Sequence, residues 1–242
     1  MFNTIIFQPL YNGLILLIDT IPFADVGVIV IIFTIIVKII LLPLSIKASK
    51  AQIEMKSIEA DLNQIKNKYK DNKEEQSKKT IELYKEKGIN PFASFFILLI
   101  QFPIIIGLYQ VFFKSGLPAI NTALLYPFVH IPESVNMIFL NMINVAQKSV
   151  ILAIIAGIST YFQISLASGA TQTPKTGSDN STQNEVARIM NTQMKYFFPV
   201  IVVFISYSIS SALALYWITS NVFAIAQELY IRKKYHKAVS VV

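Results

Sequence analysis

The sequence predicts an all-α membrane protein with five transmembrane helices. The first observation is composition: 54% of the 242 residues are hydrophobic and only 14% are charged, against about 25% charged residues in soluble domains. The second is distribution, because the charged residues concentrate in one central stretch and in the C-terminal tail. The third is length, because the apolar stretches between them reach the roughly 20 residues that a membrane-spanning helix needs.

Residues 1–25 form the first predicted segment. They contain no Lys or Arg, so the basic region of a cleavable signal peptide is missing. The segment is apolar and amphipathic, but Pro9 and Pro22 interrupt it. We therefore expect a helix that lies in the interface on the outer side of the membrane. An uncleaved sixth span is the alternative.

Four apolar stretches are candidates for the spans. They are residues 26–46, 91–113, 149–168 and 196–231. As a single helix, the last stretch would be about 54 Å long at 1.5 Å per residue, whereas the hydrocarbon layer is about 30 Å thick. We therefore predict two spans in it, residues 195–209 and 211–231, joined by a tight turn within residues 207–212.

The basic residues in the connections predict the orientation, because cytoplasmic connections are rich in Lys and Arg. The rich connections are residues 47–88, 169–194 and 232–242, and the poor ones are residues 1–25 and 114–148. We expect the N-terminus outside and the C-terminus in the cytoplasm. The external segment between spans two and three then folds over the outer face.

The pattern of residues 47–88 predicts a cytoplasmic helical hairpin. Its apolar residues recur at steps of three and four, which marks one stripe along a helix. The stripe comprises Ala51, Met55, Ile58, Leu62, Ile65 and Tyr69, and after a break it resumes with Ser77, Ile81 and Tyr84. Gly88 follows, in the position where glycine commonly ends a helix. The hairpin is either a solvated connector or a docking surface for a ribosome, a targeting factor or a substrate.

Lys38 lies near the middle of the first predicted span. A lysine at the centre of a membrane helix costs about 2.5–3.5 kcal/mol, and both interfaces are about 15 Å away, too far for easy snorkelling. We therefore expect Lys38 to face protein or water. Thr34 and Ser45 lie on roughly the same helix face, so the first span carries a polar stripe with a positive centre.

Other predicted spans contain polar residues at a similar depth. They are Gln101 and Tyr109 in the second span, Ser159, Thr160 and Gln163 in the third, and Trp217, Thr219, Ser220, Asn221 and Gln227 in the fifth. For any one hydroxyl, an interhelical hydrogen bond worth about 0.6–2 kcal/mol is a sufficient explanation. The whole set, with no Asp or Glu at the depth of Lys38, instead favours a hydrated cavity. A positive cavity suits a polypeptide or an anion and not a cation.

Several function classes are excluded or disfavoured. The chain has no cysteine, which excludes thiolate chemistry, and it has no motif typical of a serine hydrolase, zinc protease, nucleotide-binding or dinucleotide-binding protein. Its two histidines, His130 and His236, cannot form a metal site alone. The net charge of +7 does not indicate specific nucleic-acid binding in a membrane protein. We expect no catalytic residue, cofactor or metal.

Three blocks of sequence resemble the YidC-type membrane protein insertase family, which has mitochondrial and chloroplast relatives. The blocks are VKIILLPLS at residues 37–45, LYKEKGINP at residues 83–91 continuing to QFPI at 101–104, and MKYFFP at 194–199 followed by LALYWITSN at 213–221. Their order and spacing extend over almost the whole chain. Each block is moderately specific, and the combination is strongly so.

The resemblance implies a five-helix core with a groove that is open to the cytoplasm and lipid but closed outside. It implies insertion and chaperoning of nascent membrane proteins in the bacterial cytoplasmic membrane, without ATP. Lys38 matches the family's positive groove residue, which attracts an acidic translocating segment, and Gln163 and Trp217 match other groove residues. The hairpin and the basic tail are candidate contacts for the Sec translocon and the ribosome. A small transporter or anion channel is the alternative, whereas the polar stripe disfavours a structural scaffold.

Two positions depart from the family pattern. The usual groove residue is arginine, and Lys38 keeps its charge but not its planar, multiply donating guanidinium group. The family usually has Pro-x-Gly where this chain has Ser210-Ser211-Ala212. We therefore expect the turn between spans four and five to have a different shape.

Overall fold

The computed structural model describes residues 2–90, 93–113, 117–168 and 182–239. These residues are mostly helical. The α-helices are α1 (Gln8–Thr20), α2 (Val26–Ser57), α3 (Glu59–Lys68), α4 (Lys73–Glu86), α5 (Ala93–Phe113), α6 (Val150–Ser168), α7 (Thr182–Ile209) and α8 (Ser211–Val239). A π-helical turn (Asn3–Phe7), a 3-10 turn (Thr122–Leu124) and two short strands, β1 (Ile138–Phe139) and β2 (Ile143–Asn144), complete the structure.

Within the described ranges, two segments are long and apolar enough to cross a membrane, namely Val26–Met55 and Val150–Ala167. Two shorter apolar helical segments are Phe102–Phe112 and Lys195–Ile209. This architecture is consistent with an all-α membrane protein. The number of spans and their orientation stay predictions.

The chain divides into two compact units. The first contains Met1–Ile40 and Gln101–Leu229, and the second contains Leu41–Ile100 and Tyr230–Val242. The predicted site residues, Thr34, Lys38, Gln101, Tyr109, Gln163 and Trp217, all belong to the first unit. The predicted hairpin belongs to the second.

The N-terminal segment of the first unit is helical on both sides of Pro9, so the expectation that this proline interrupts it is wrong. Pro9 lies in the first turn of α1, directly after the π-helical turn, where a missing amide proton is tolerated. Tyr11, Leu14 and Ile15 are fully buried. A Cβ atom on Gly13 would lie 2.9 Å from the Phe33 ring, so α1 packs closely against α2.

The segment between α5 and α6 contains an antiparallel β-hairpin, an element that the all-α prediction did not include. Ile138 pairs with Asn144, and Phe139 pairs with Ile143. The hairpin lies against the start of α2, because a Cβ atom on Gly27 would be only 2.4 Å from the Phe139 ring. The contact requires glycine at this position, since any side chain would overlap the ring.

Polar groups of α1 form hydrogen bonds with the segment between α5 and α6, nearer to the start of that segment. The Asn121 backbone amide donates to the Tyr11 hydroxyl at 2.8 Å. The Asn12 side chain accepts from the Tyr126 amide at 2.6 Å and donates to the Leu124 carbonyl at 2.9 Å. The Asn12 side-chain nitrogen also donates to the Gln8 carbonyl at 2.9 Å. Because the Asn12 side chain is buried, losing the bond from the Tyr126 amide would leave its oxygen unsatisfied.

Helices α6 and α7 form an antiparallel pair. At one end, the Lys148 ammonium lies 5.7 Å from the centre of the Tyr207 ring, and at the other the Lys195 ammonium lies 5.7 Å from the Tyr161 ring. Between these ends, a Cβ atom on Gly157 would meet Val203 at 2.3 Å and the Pro199 carbonyl oxygen at 3.1 Å. The absent side chain of Gly157 therefore sets the close approach of the two helices.

Only Ser210 separates α7 from α8. The Ser211 amide and hydroxyl both donate to the Gln147 carbonyl, at 2.8 and 2.6 Å, and the Ala212 amide donates to the Val145 carbonyl at 3.0 Å. The first turn of α8, whose amides have no intrahelical partner, is thus satisfied by the chain just before α6. Ser211 and Ala212, two of the three residues that stand in place of the Pro-x-Gly pattern, supply all three of these donors.

The second unit contains α3, α4 and the C-terminal part of α2. The first half of the predicted apolar stripe is correct, since Ala51 and Ile58 are buried and its other members are half-buried. The second half is wrong at Ser77 and Ile81, which are exposed. The Asn72 side chain caps α4 by accepting from the Glu75 backbone amide at 3.1 Å, and the Gln76 side chain joins α4 to α3 by donating to the Lys66 carbonyl at 3.0 Å. Gly88 follows with φ of +65°, the conformation expected of a glycine after a helix.

Candidate functional site

Thr34 and Lys38 lie one turn apart on α2. Thr34 is 1% exposed, and its hydroxyl donates to the Val30 carbonyl at 2.6 Å. Lys38 is half-buried. The apolar side chains of Ile39 and Ile40, which follow it, are 54% and 68% exposed. Residues separated by about 100° on a helix face different directions, so Lys38 lies at the border of the buried face of α2 and not on its open apolar face.

A second polar group joins α6 to α8. The Asn221 side-chain amide donates to the Ser159 hydroxyl at 3.0 Å and to the Thr160 hydroxyl at 2.8 Å. Both hydroxyls donate in turn to the Ala156 carbonyl at 2.8 Å. We call these three residues the Asn221 cluster. Its donors and acceptors match without conflict, because each hydroxyl donates along its own helix and accepts across the interface.

Gln163 and Trp217 flank the Asn221 cluster. Gln163 lies one turn after Ser159 and Thr160 on α6, and Trp217 lies one turn before Asn221 on α8. Side chains three or four residues apart share a helix face, so both predicted site residues lie on the faces that the cluster joins. Gln163 is half-buried, and Trp217 is only 8% exposed.

Helix α5 carries Gln101 and Tyr109. The Tyr109 side chain is partly exposed. It lies two residues after Gly107, where a Cβ atom would be 2.5 Å from the Leu10 side chain. Because two residues rotate a helix by about 200°, Tyr109 leaves α5 on roughly the opposite side from α1. The side chain of Gln101 lies outside the described part of the structure.

The structure thus pairs Thr34 with Lys38 on α2 and brings the faces of Gln163 and Trp217 together through the Asn221 cluster. Ser159, Thr160 and Asn221 were recognisable in the sequence as polar residues at depth, but no local pattern identified them as partners. Their bonds match the simple explanation of interhelical hydrogen bonding. Thr160 and Asn221 each lie ten residues after the first residue of their helix, and Ser159 lies nine residues after it. This similar distance could have indicated the contact only if α6 and α8 were known to be neighbours.

Comparisons with known proteins agree with the resemblance. A family model described as 60Kd inner membrane protein matches residues 18–238. The chain is 33% identical to a protein named Membrane protein insertase YidC from Clostridium tetani, over 88% of this chain and 84% of the relative. It is also 33% identical to one of the same name from Fusobacterium nucleatum, over 86% of each chain. A third, from Francisella tularensis, is longer: the match is 28% identical over 86% of this chain but covers 33% of the relative.

The family match covers most of the chain, and the first two relatives align over most of their own lengths. The family predicted from the three sequence blocks is therefore confirmed. The chain belongs to the YidC family of membrane protein insertases.

Proposed function

We propose that this protein inserts integral membrane proteins and helps them fold through a positively charged hydrophilic groove within the bilayer. Family membership supports the insertase activity. The position of Lys38 is the observation that supports the groove: a lysine on a helix long and apolar enough to cross a membrane, one turn from buried Thr34 and beside the open apolar face.

The proposed mechanism is electrostatic and involves no covalent step. An acidic residue at the centre of a membrane helix costs about 2.5–3.5 kcal/mol. Two opposite charges 4 Å apart attract by about 4 kcal/mol at an effective dielectric constant of 20. Lys38 can therefore offset the cost of drawing an acidic segment into the membrane, and the protein needs no ATP and no catalytic residue.

Five further residues are proposed to line the groove, and they are Thr34, Gln101, Tyr109, Gln163 and Trp217. The Tyr109 hydroxyl and the Gln163 amide, which are partly exposed, can replace water around a polar segment during its passage. Thr34 and Trp217, which are 1% and 8% exposed, would belong to the groove wall. Gln163 and Trp217 flank the Asn221 cluster, which supports the assignment of both residues to one groove. Lipid-facing apolar residues on α2 would then receive the apolar part of the substrate.

The proposed topology has five spans, with the N-terminus outside and the C-terminus in the cytoplasm. In that topology residues 47–88 lie in the cytoplasm, and their hairpin carries exposed lysines on both helices, including Lys66, Lys68, Lys73 and Lys78. We propose that this surface and the basic tail contact the ribosome or the Sec translocon. Exposed cations suit both the phosphate backbone of ribosomal RNA and acidic protein surfaces.

The decisive experiment measures insertion of a single-span substrate with an acidic N-terminal tail. We expect Lys38→Arg to be active and Lys38→Ala to be impaired by about tenfold, which is the effect of losing about 1.4 kcal/mol of stabilisation. Lys148→Ala is the matched control, because it removes one lysine near an end of α6. A substrate with a neutral tail should be much less sensitive to Lys38→Ala.

Full activity of Lys38→Ala on the acidic substrate would contradict the attraction mechanism. Ionic current through reconstituted bilayers would instead support the anion-channel alternative. The insertase activity itself is tested by depleting the protein and asking whether small membrane proteins fail to insert.

A further inference from the structure

The tip of the β-hairpin carries exposed apolar side chains beside the start of α2. Leu140 is 61% exposed and Met142 is 83% exposed, and Phe23, which lies just before α2, is 90% exposed. Other residues of the hairpin region fill its inner face, so the exposed side chains do not pack there. Met137 and Val145 are buried, and Phe139 covers Gly27, so the inner face of the hairpin is already occupied.

The hairpin tip has a fixed position relative to α2. Asp25 caps α2 by accepting from the Val28 amide at 2.9 Å through one carboxylate oxygen. Through the other it accepts from the Leu140 amide at 3.1 Å. The Val26 amide adds a bond of 2.8 Å to the Asn136 carbonyl. The tip therefore lies at the N-terminal end of a candidate span, whichever side of the membrane that end occupies.

The backbone conformation of the tip does not favour a leucine at position 140. Leu140 and Asn141 have φ of 50° and 56°, and the Met142 amide closes the turn by donating to the Phe139 carbonyl at 3.0 Å. Asparagine tolerates this left-handed conformation, whereas leucine strongly disfavours it. A strained, exposed leucine calls for a reason outside the turn.

The position of the hairpin tip relative to the hydrocarbon layer follows from the length of the apolar part of α2. After Lys38, the next charged residues of α2 are Lys47 and Lys50. Because each further lysine in hydrocarbon would cost about 2.5–3.5 kcal/mol, we take residues 26–46 as the apolar part of α2, and their length matches a layer about 30 Å thick. Asp25 then lies at the hydrocarbon boundary, within the interfacial layer that extends about 5–7 Å further. Residues 117–147 also contain no Lys or Arg, so the segment around the tip is almost uncharged.

We propose that the hairpin tip, with Leu140 and Met142, and Phe23 just before α2 are immersed in the lipid interface at the N-terminal end of α2. Lipid there would cover the apolar side chains that the protein leaves exposed. The bonds of Asp25 would fix the depth of immersion. This inference depends on α2 crossing the membrane and is independent of the insertase mechanism.

The absence of native cysteine allows a direct test. The variants Met142→Cys and Leu140→Cys, each labelled with an environment-sensitive fluorophore, are reconstituted into phosphatidylcholine–phosphatidylglycerol vesicles. Glu133→Cys is the matched control, because Glu133 is exposed on the same segment but carries a charge. We expect blue-shifted emission at positions 142 and 140, and several-fold stronger quenching by lipids with nitroxide near the headgroup than at position 133.

Emission and quenching equal to the control at both positions would overturn the proposal. A blue shift without nitroxide quenching, lost when the protein is diluted into more lipid, would also overturn it, because it would assign the tip to a contact between protein copies. Thermal stability equal to the unlabelled protein verifies that each labelled variant is folded.

Discussion

At the scale of single residues, the Asn221 cluster is the clearest case of polar side chains in the first unit that bind one another across a helix interface. The Asn221 amide makes two bonds across the α6–α8 interface. Bonds of this kind are worth about 0.6–2 kcal/mol each. Their removal should loosen the alignment of Gln163 with Trp217, even though neither residue is changed.

A double-mutant cycle tests this role. We expect Asn221→Ala and Thr160→Val each to lower thermal stability, and the double variant to lose less than the sum, with a coupling of about 0.5–1.5 kcal/mol. The control cycle pairs Asn221→Ala with Thr219→Val, because the Thr219 hydroxyl donates to the Leu215 carbonyl of its own helix. Additive losses in both cycles would show that the cluster does not couple α6 to α8.

At the scale of elements, the α6–α7 pair depends on Gly157. A Cβ atom there would overlap Val203 and crowd the Pro199 carbonyl, so Gly157→Ala should destabilise the protein by about 1–3 kcal/mol. Adding Val203→Ala should restore part of the loss, because it removes the overlapping side chain while the backbone carbonyl remains. The measurement is the melting temperature in detergent. No loss in Gly157→Ala, or no recovery in the double variant, would contradict this packing.

The elements also show which features a sequence can predict. Asn72 and Gly88 act within a few residues of their own positions, so residue type alone was sufficient to recognise the glycine that follows α4. Asp25 binds Leu140 from far along the chain, and no local pattern encodes that contact. The β-hairpin was missed for the same reason: its strands are two residues long, and long-range packing on α2 holds them.

At the scale of the whole molecule, the sequence predicted the membrane class and the family because both depend on patterns spread over the chain. Lys38 illustrates the limit. Its insertion cost predicts that it avoids lipid, and this stays a prediction. In the structure Lys38 is half-buried, at the edge of the buried face of α2. The groove around it depends on how several helices assemble, which hydropathy and spacing do not specify.

The last prediction concerns the membrane topology. Because the sequence contains no cysteine, single cysteine variants can be labelled specifically. Five spans require residues before the first span and residues after the fifth, which ends at residue 231, to lie on opposite sides of the membrane, because an odd number of crossings exchanges sides. We expect an impermeant maleimide to label Asn3→Cys and Glu133→Cys in intact cells. Ser77→Cys and Lys234→Cys should react only after the cells are permeabilised.

The Asn3 and Glu133 positions separate the two topologies that the sequence leaves open. If residues 1–25 form an interfacial helix, Asn3→Cys and Glu133→Cys react from the same side. If the segment instead forms a sixth span, Asn3→Cys is protected in intact cells while Glu133→Cys still reacts. Because Asn3 and Glu133 are exposed, protection reports the side of the membrane and not burial. Labelling of Ser77→Cys in intact cells would reverse the proposed orientation.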